Sequence, residues 1–131
     1  MKIYICSSSK NLESVRALRD ELTGHGHFVL DWTTTLPDCG KERERVKDAD
    51  PAGSTFTFCS TACAQVDLLV YLGPAGQDAG CELGMAYTSG IPVWAVPGKG
   101  ECLGLMAKGC VSRWFMDAAD VSEALCNWRG W

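Results

Sequence analysis

Glu82 combines a side chain that can act as a nucleophile with a backbone setting suited to a ligand site. It lies in a glycine-rich stretch, residues 73–86, in which Gly76, Gly80 and Gly84 let the backbone approach a ligand or a neighbouring element closely. The sequence predicts a helix from about residue 79, so Glu82 falls in its first turn, where free amide groups and the helix dipole favour an ionised carboxylate. Acidic residues also occupy first turns for stability alone, and this structural role is the alternative.

A second polar stretch follows the first apolar run of the chain. It connects a predicted strand to a predicted helix and consists of Ser7, Ser8, Ser9, Lys10 and Asn11. Free amide groups at such a helix start, together with a lysine charge, favour binding of an anion such as phosphate. The alternative is that these residues only end the strand and cap the helix.

The eight cysteines would fit a disulfide scaffold in a secreted protein, but the chain opens directly on the run Lys2–Ile5, without a signal peptide. We therefore expect a cytoplasmic location and reduced thiols, several of which serve as small apolar side chains. Cys59 and Cys63 are four residues apart, no C-x-x-C pair occurs, and there are 2 histidines. This spacing predicts no metal site.

Composition excludes several classes of protein. The 131 residues are enough for one domain, 1–131, and at 47% apolar and 21% charged residues they fit a globular chain rather than a disordered or fibrous one. Lys and Arg total 12 against 16 Asp and Glu, for a net charge of -4, with no basic stripe. A nucleic acid polymer is therefore not an expected partner. No apolar run is long enough for a spanning helix, so no membrane partner is expected either.

Strands and helices alternate along the sequence. The hydrophobic periodicity predicts strands at 2–6, 28–32, 67–73, 92–96 and 111–116, and helices at 11–24, 55–65, 79–89, 103–108 and 121–128. Residues 41–50 are charged almost throughout, which indicates a solvated helix or loop. The strand at 67–73 is apolar nearly without interruption, which is typical of a central parallel strand covered on both faces.

This alternation predicts a single-domain α/β fold, an open parallel five-stranded sheet with helices on both faces. The expected strand order is 2-1-3-4-5, the flavodoxin-like arrangement, in which ligands bind where the strand order reverses. That point lies between the first and third strands at their carboxyl ends. The sequence therefore predicts a site built from residues 7–11 and 73–82.

Four segments, in this order, resemble the nucleoside 2-deoxyribosyltransferase family. They are Ile3–Ser8 (Ile-Tyr-Ile-Cys-Ser-Ser), Asp67–Pro74 (Asp-Leu-Leu-Val-Tyr-Leu-Gly-Pro), Ala79–Tyr87 (Ala-Gly-Cys-Glu-Leu-Gly-Met-Ala-Tyr) and Gly90–Val93 (Gly-Ile-Pro-Val). The family pattern is a first apolar strand and loop, an apolar strand after Asp, a glycine-rich loop with Gly-x-Glu-x-Gly-x-Ala, and then Gly-x-Pro-Val. The matched pieces cover about half of the chain.

The resemblance implies an activity and assigns residues to it. The glutamate of the family motif attacks C1′ of the sugar and would be Glu82, giving a covalent ester that a nucleobase or water then releases. Asp78 resembles, at a different offset, the aspartate that holds the sugar hydroxyls; its alternative role is to cap the helix. This route requires no metal and no organic cofactor, and its substrate is a small nucleoside or nucleotide.

The family branch that hydrolyses 2′-deoxynucleoside 5′-monophosphates holds the phosphate in a serine-containing first loop. The resemblance therefore assigns phosphate binding to Ser7, Ser8, Ser9 and Lys10, and further substrate contacts to Gly76 and Gly80.

The sequence departs from the family at one position. Members commonly carry a further aspartate about eight residues before the one that opens the third strand, where it protonates the leaving base; Cys59 stands there in this chain. Asp31, or an acid from residues 41–50, could substitute. If no acid reaches the base, the chain could instead be a slow enzyme or a non-catalytic nucleotide-binding module. Cleavage of a larger ribosyl ligand such as NAD is a third possibility.

Aromatic residues have two expected places. Tyr4, Trp32 and Trp94 on the predicted strands are expected in the core rather than stacked on a base, and Tyr87, five residues after Glu82, is expected to point away from the site. The chain end is unusually aromatic, with Trp114, Phe115, Trp128 and Trp131. Part of that surface is expected at a subunit interface. The resemblance implies a homo-oligomer in which each subunit completes the site of its neighbour. Residues 99–108 are the expected contribution to the neighbour's site.

Overall fold

The computed structural model describes residues 1–35 and 53–128. In that part of the chain the strands are β1 Lys2–Ser7, β2 Phe28–Asp31, β3 Leu68–Leu72, β4 Val93–Val96 and β5 Arg113–Trp114. The helices are α1 Leu12–Gly24, α2 Ser54–Gln65, α3 Gln77–Thr88, α4 Leu105–Cys110 and α5 Ala118–Cys126. Two short 3-10 turns, Ser9–Asn11 and Trp32–Thr35, follow β1 and β2.

The five strands form one parallel sheet in the order β2-β1-β3-β4-β5, which confirms the predicted topology. β1 and β3 are neighbours, with Ile3 opposite Leu68 and Ser7 opposite Leu72. All five residues of β3 are buried, as its apolar sequence predicts. The chain therefore reverses its strand order between β1 and β3, and the loops that follow these two strands lie side by side.

Helices cover both faces of the sheet. One apolar cluster joins the sheet to α1 and α5 and includes Ile3, Ile5, Val15, Leu18, Leu22, Val70, Trp94, Phe115, Val121 and Leu125. A second cluster joins the other face to α2 and α3 and includes Tyr4, Cys6, Trp32, Ala62, Cys63, Leu69, Tyr71, Ala79, Leu83 and Ala86. Since strand side chains alternate between faces, Tyr4 and Cys6 of β1 both face α2 and α3.

The expected core aromatics are confirmed. Tyr4, Trp32 and Trp94 are all buried. Trp94 contacts Phe115 and Trp128, with ring centroids 5.0 and 5.4 Å away. Trp114 is half-exposed on the edge strand, and Trp131 lies outside the described residues.

The ends of several elements differ from the sequence prediction. α3 begins at residue 77 rather than near 79, α5 begins at 118 rather than 121, and β5 has 2 residues instead of the six predicted at 111–116. Asp117 caps α5 by accepting a hydrogen bond from the Asp120 amide at 2.9 Å, so the helix starts at this cap rather than at the first buried residue.

The charged segment 41–50 lies outside the described residues. In the described ranges, no helix is long and apolar enough to cross a membrane.

Replacing Leu69 by alanine tests how much the sheet depends on β3. Leu69 is fully buried, so Leu69→Ala should lower the free energy of unfolding by about 2–5 kcal/mol through lost burial and a cavity. Leu105→Ala is the matched control: its side chain is 86% exposed, and the change should stay within about 0.5 kcal/mol. Urea unfolding monitored by circular dichroism measures both. Equal losses in the two variants would contradict the assigned burial.

Candidate active site

Glu82 lies on the inner side of α3, over β1. It falls in the second turn of α3, because this helix begins at Gln77; the prediction that it occupies the first turn is wrong. Asp78 is the first-turn acid, and the Gly80 amide already donates to the Gly76 carbonyl at 3.3 Å. The helix start therefore does not hold Glu82 in its charged form, and burial instead raises the pKa of this carboxyl.

The phenol of Tyr4 donates a hydrogen bond to Glu82 Oε1 at 2.9 Å. Burial, and then the neighbouring Glu82 charge, raise the pKa of Tyr4 far above its ordinary value, so the phenol keeps its proton and remains a donor. Although the sequence places Tyr4 in the core, it does not show that the hydroxyl reaches Glu82. The period-2 pattern of β1 was the available signal, because it puts Tyr4 on the face that α3 covers.

Thiols surround the same carboxylate. Hydrogen bonds from Cys6, Tyr4 and Cys59 lower the pKa of Glu82 and offset part of the effect of burial, whereas the Asp78 charge raises it further. Burial holds the pKa of Cys6 well above its ordinary value and raises that of Cys63 to about 12, so both remain neutral thiols. Of the donors to Glu82, Tyr4 and Cys6 are neutral groups. Cys59, which stands where the family pattern has an aspartate, is thus part of the site.

Asp78 and two predicted glycines lie at the open start of α3. Asp78 is exposed, and Gly76 immediately precedes the helix. A Cβ atom added to Gly76, Gly80 or Gly84 would meet no other atom within 4 Å. Within the described residues no other element approaches these glycines closely, so of the two expected roles contact with a ligand stays a prediction.

The loop after β1 is tied to the loop after β3. The Ser7 hydroxyl donates to the Leu72 carbonyl, and the side-chain amide of Asn11 donates through Nδ2 to Ser7 Oγ at 3.0 Å and to the Pro74 carbonyl at 2.7 Å. The structure thus brings residues 7–11 next to residues 72–74, as the topology predicts. The hydroxyl of Ser7 is engaged within the protein.

The remaining predicted phosphate-loop residues lie on the outer side of this junction. Ser8 Oγ accepts a hydrogen bond from the Lys10 amide at 3.2 Å and caps the 3-10 turn. Ser9 and Lys10 are exposed. Of the four positions, Ser8 therefore has a capping role, whereas Ser9 and Lys10 present their side chains to solvent.

Glu101, in the loop after β4, lies in the stretch 99–108 that is expected to contribute to a neighbour's site, but its contacts within its own chain were not predicted from the sequence. Its carboxylate accepts hydrogen bonds from the Tyr71 hydroxyl, from the Ala75 amide at 3.0 Å and from the Gly98 amide at 2.8 Å. Burial alone would raise the pKa of Glu101, but these three hydrogen bonds outweigh it and the pKa lies below its usual value. The only sequence signal is position, because this loop leaves the carboxyl end of a central strand.

Asp31 faces away from Glu82. It lies opposite Ile5 in the sheet and so faces α1, whereas Glu82 lies on the other side. Its buried carboxylate accepts hydrogen bonds from the Thr33 amide at 2.8 Å and from the Thr33 hydroxyl, and it pairs with Arg19 at 3.4 Å. This placement argues against Asp31 as the acid that protonates a leaving base. The acids at 41–50 lie outside the described residues.

A groove of about 720 Å³ lies at the opposite edge of the sheet, where β3, β4 and β5 begin. Tyr87 lines it, at the far end of α3, as do residues 90–93 and 109–112. The prediction that Tyr87 points away from Glu82 is confirmed. This groove is separate from the site at Glu82.

Comparison with solved structures identifies the fold. A 2-deoxyribosyltransferase from Bacillus psychrosaccharolyticus matches with a TM-score of 0.65 and 22% identity, over 93% of this chain and 90% of the other. The chain has the fold of that 2-deoxyribosyltransferase. No protein-family model and no curated protein sequence matches it.

Two further structures share this 2-deoxyribosyltransferase fold. A conserved protein from Enterococcus faecalis matches with a TM-score of 0.71 and 20% identity, over 95% of this chain and 96% of the other. A CMP N-glycosidase from Clostridium botulinum matches with a TM-score of 0.63 and 13% identity, over 95% and 98% of the two chains. The flavodoxin-like strand order expected from the sequence is thus confirmed over nearly the whole chain.

Removing the Tyr4 hydroxyl should raise the pKa of Glu82. A hydrogen bond to a carboxylate stabilises its charged form, so Tyr4→Phe removes one of the contacts that lower this pKa. The pKa is measured by carbon-13 NMR titration of the glutamate carboxyl groups. The Glu82 signal is assigned as the one that disappears in Glu82→Gln.

Tyr87→Phe is the matched control, since it deletes a hydroxyl at the far end of α3 and should leave the Glu82 titration unchanged. A pKa of Glu82 that stays constant or falls in Tyr4→Phe would show that the phenol does not stabilise the carboxylate.

Proposed function

We propose that this protein is a nucleoside 2-deoxyribosyltransferase-like enzyme that cleaves the N-glycosidic bond of a nucleoside, deoxynucleoside or 5′-monophosphate. The observation that carries the proposal is the half-buried Glu82 carboxylate, held by the Tyr4 phenol at 2.9 Å on the helix that starts where the strand order reverses. The family resemblance of this segment and the shared fold support it. The similar structures include a 2-deoxyribosyltransferase and a CMP N-glycosidase.

In the first step, a carboxylate oxygen of Glu82 forms a bond to C1′ as the bond from C1′ to the base nitrogen breaks. The electron pair of that bond leaves with the base, which takes up a proton from solvent water. In the second step, a base nitrogen or a water oxygen forms a bond to C1′ as the ester bond from C1′ to the Glu82 oxygen breaks, which frees the carboxylate, and the proton of the attacking N–H or O–H passes to solvent water. Attack by a base gives transfer, and attack by water gives hydrolysis.

The neutral donors around Glu82 suit this sequence of steps. The Tyr4 phenol donates to the carboxylate, and no ion pair to Glu82 occurs among residues 1–35 and 53–128, so within that part of the chain an ester can form without breaking an ion pair. Because burial raises the pKa of Glu82, the fraction of ionised nucleophile should fall on acidification at a higher pH than for an exposed glutamate. The acidic limb of the rate profile reports this titration.

Asp78 and the first loop supply the proposed substrate contacts. Asp78 is exposed one turn before Glu82, a position suited to hydrogen bonds with sugar hydroxyls. Ser9 and Lys10 lie beside the loop junction at the carboxyl ends of β1 and β3, where a 5′-phosphate would extend from the sugar. Gly76 and Gly80 leave open space next to these groups.

A nucleotide-binding module is the second candidate, because Cys59 stands in the site where the family pattern has an acid. Incubation with a panel of deoxynucleosides, ribonucleosides, 5′-monophosphates and NAD, with free base measured by chromatography and binding by thermal shift, separates the two. Base release supports the enzyme. A thermal shift without base release supports the binding module and contradicts the proposed activity.

Glu82→Ala and Glu82→Gln should both lower base release by at least about a thousandfold, since each removes the nucleophile. Both variants should remain folded. Because burial disfavours the charged carboxyl, Glu82→Gln should also raise the free energy of unfolding at pH 7, and this gain should vanish below the ordinary carboxyl pKa. Chromatography of the free base and urea unfolding at pH 7 and pH 4 are the two measurements.

Glu123→Gln, the same chemical change at an exposed position on α5, is the control and should match the wild type in both assays. Wild-type rates of base release in Glu82→Ala would remove Glu82 as the nucleophile.

Lys10→Ala should distinguish nucleotides from nucleosides. If the exposed ammonium group contacts a 5′-phosphate, its loss should lower kcat/KM for monophosphates by about tenfold, the magnitude of one hydrogen bond between charged groups. The rate for free nucleosides should not change. Lys2→Ala, a lysine at the amino end of β1 and so at the opposite end of that strand from the first loop, serves as the charge-matched control. Equal effects of Lys10→Ala on both substrate types would contradict a phosphate contact.

A further inference from the structure

The Glu101 carboxylate joins three backbone segments at the carboxyl edge of the sheet. Oε1 accepts from the Tyr71 hydroxyl of β3 and from the Ala75 amide of the loop that precedes α3, and Oε2 accepts from the Gly98 amide of its own loop. Burial raises the pKa of Tyr71, and the Glu101 hydrogen bond raises it further, so this phenol remains a donor. Both oxygens of the carboxylate are thus engaged.

The two loops that Glu101 joins are in direct contact. A Cβ atom at Gly98 would lie 2.5 Å from both the nitrogen and Cδ of Pro74. A Cβ atom at Gly73 would overlap Glu101 Oε2 and lie 2.5 Å from the Gly98 nitrogen. Only glycine fits at these two positions, so the loops 73–76 and 97–101 can approach closely enough for one carboxylate to bridge them.

The loop 73–76 is held from its other side as well. The Asn11 side chain donates through Nδ2 to the Pro74 carbonyl at 2.7 Å, and Glu101 accepts from the backbone amide of the next residue, Ala75. Gly76 follows, and α3 begins directly after it. The start of the helix that carries Glu82 is therefore fixed between a side chain from the β1 loop and one from the β4 loop.

We propose that Glu101 is a positioning residue for the candidate active site: its carboxylate fixes the 73–76 loop and so sets where α3 presents Glu82 and Asp78. This inference rests on the proposed function. Glu101 is argued to act through the loop and not on the substrate. Misplacement of reacting groups by about 1 Å can lower a rate by about a hundredfold, so a loosened loop should reduce turnover.

The chemistry of the bridge requires a carboxylate. Three donors point at its two oxygens, and a glutamine offers only one acceptor atom with the same shape. In Glu101→Gln, the amide group must face either the Gly98 N–H or the Ala75 N–H, so at least one hydrogen bond is lost and two donors meet. Glu101→Gln thus weakens the bridge without removing side-chain volume.

The test compares wild type, Glu101→Gln and Tyr71→Phe, with Glu123→Gln as the matched control. In Glu101→Gln we expect kcat for base release to fall by about tenfold or more, with KM within about twofold, and the acidic limb of the pH profile to shift as Glu82 moves. Tyr71→Phe should show the same pattern with a smaller fall. A loss confined to stability, with kcat and the pH profile unchanged, would overturn the proposal.

Amide hydrogen exchange provides a readout that needs no activity. At least one of the amides of Ala75 and Gly98 should exchange about tenfold faster or more in Glu101→Gln than in wild type, while the amides of β3 keep their protection. Unchanged exchange at both amides would overturn the bridge. If wild type releases no base from any substrate, the proposed function fails instead, and the exchange data still decide whether Glu101 fixes the loop.

Discussion

A half-buried carboxylate is the group on which the candidate site depends. Taking a carboxylate out of water is unfavourable unless hydrogen bonds replace the lost solvation. At Glu82 these bonds come from the Tyr4 phenol and from Cys6 and Cys59, and they offset only part of the effect of burial. The charged form of Glu82 is therefore less stable than the charged form of an exposed glutamate. A carboxylate that is less stabilised in this way is the state that a nucleophile needs.

The sheet supplies two of these donors, Tyr4 and Cys6 of β1, and the loops at its carboxyl edge position α3. Tyr4 and Cys6 reach Glu82 because alternate residues of β1 face α3. The helix itself is placed by polar contacts between loops, with Asn11 on one side and Glu101 on the other. Apolar packing thus sets the distance between α3 and the sheet, while hydrogen bonds at the carboxyl edge set where the helix begins.

Much of this arrangement could be predicted from the sequence, because it follows from periodicity. The uninterrupted apolar run of β3 indicates a central strand, and the alternation of strands and helices gives the order observed. Local signals could not place the start of α3, because Gln77 and Asp78 carry no apolar periodicity and the helix has no side-chain cap. Glu82 is consequently predicted in the first turn of the helix but lies in the second. Burial rather than the helix dipole therefore governs the pKa of its carboxyl.

The long-range polar contacts could not be predicted from the sequence. Nothing in the residues around position 101 indicates that a carboxylate there meets donors 26 and 30 residues away in the chain. The sequence likewise does not show that Asp31 is separated from Glu82, because this depends on the face of β2 to which the Asp31 side chain points. Such pairings become visible only once the register between strands is known.

The partners at the centre of the site are far apart in the chain. Tyr4 and Glu82 are separated by 78 residues, and they meet only after β1 has paired with β3 and α3 has docked. Parallel pairing of this kind gives a high contact order, whose loop-closure entropy must be overcome before the contacts form. A nascent chain that has emerged as far as β2 therefore carries Tyr4 but not Glu82, and this carboxyl gains its environment only when α3 docks on β1.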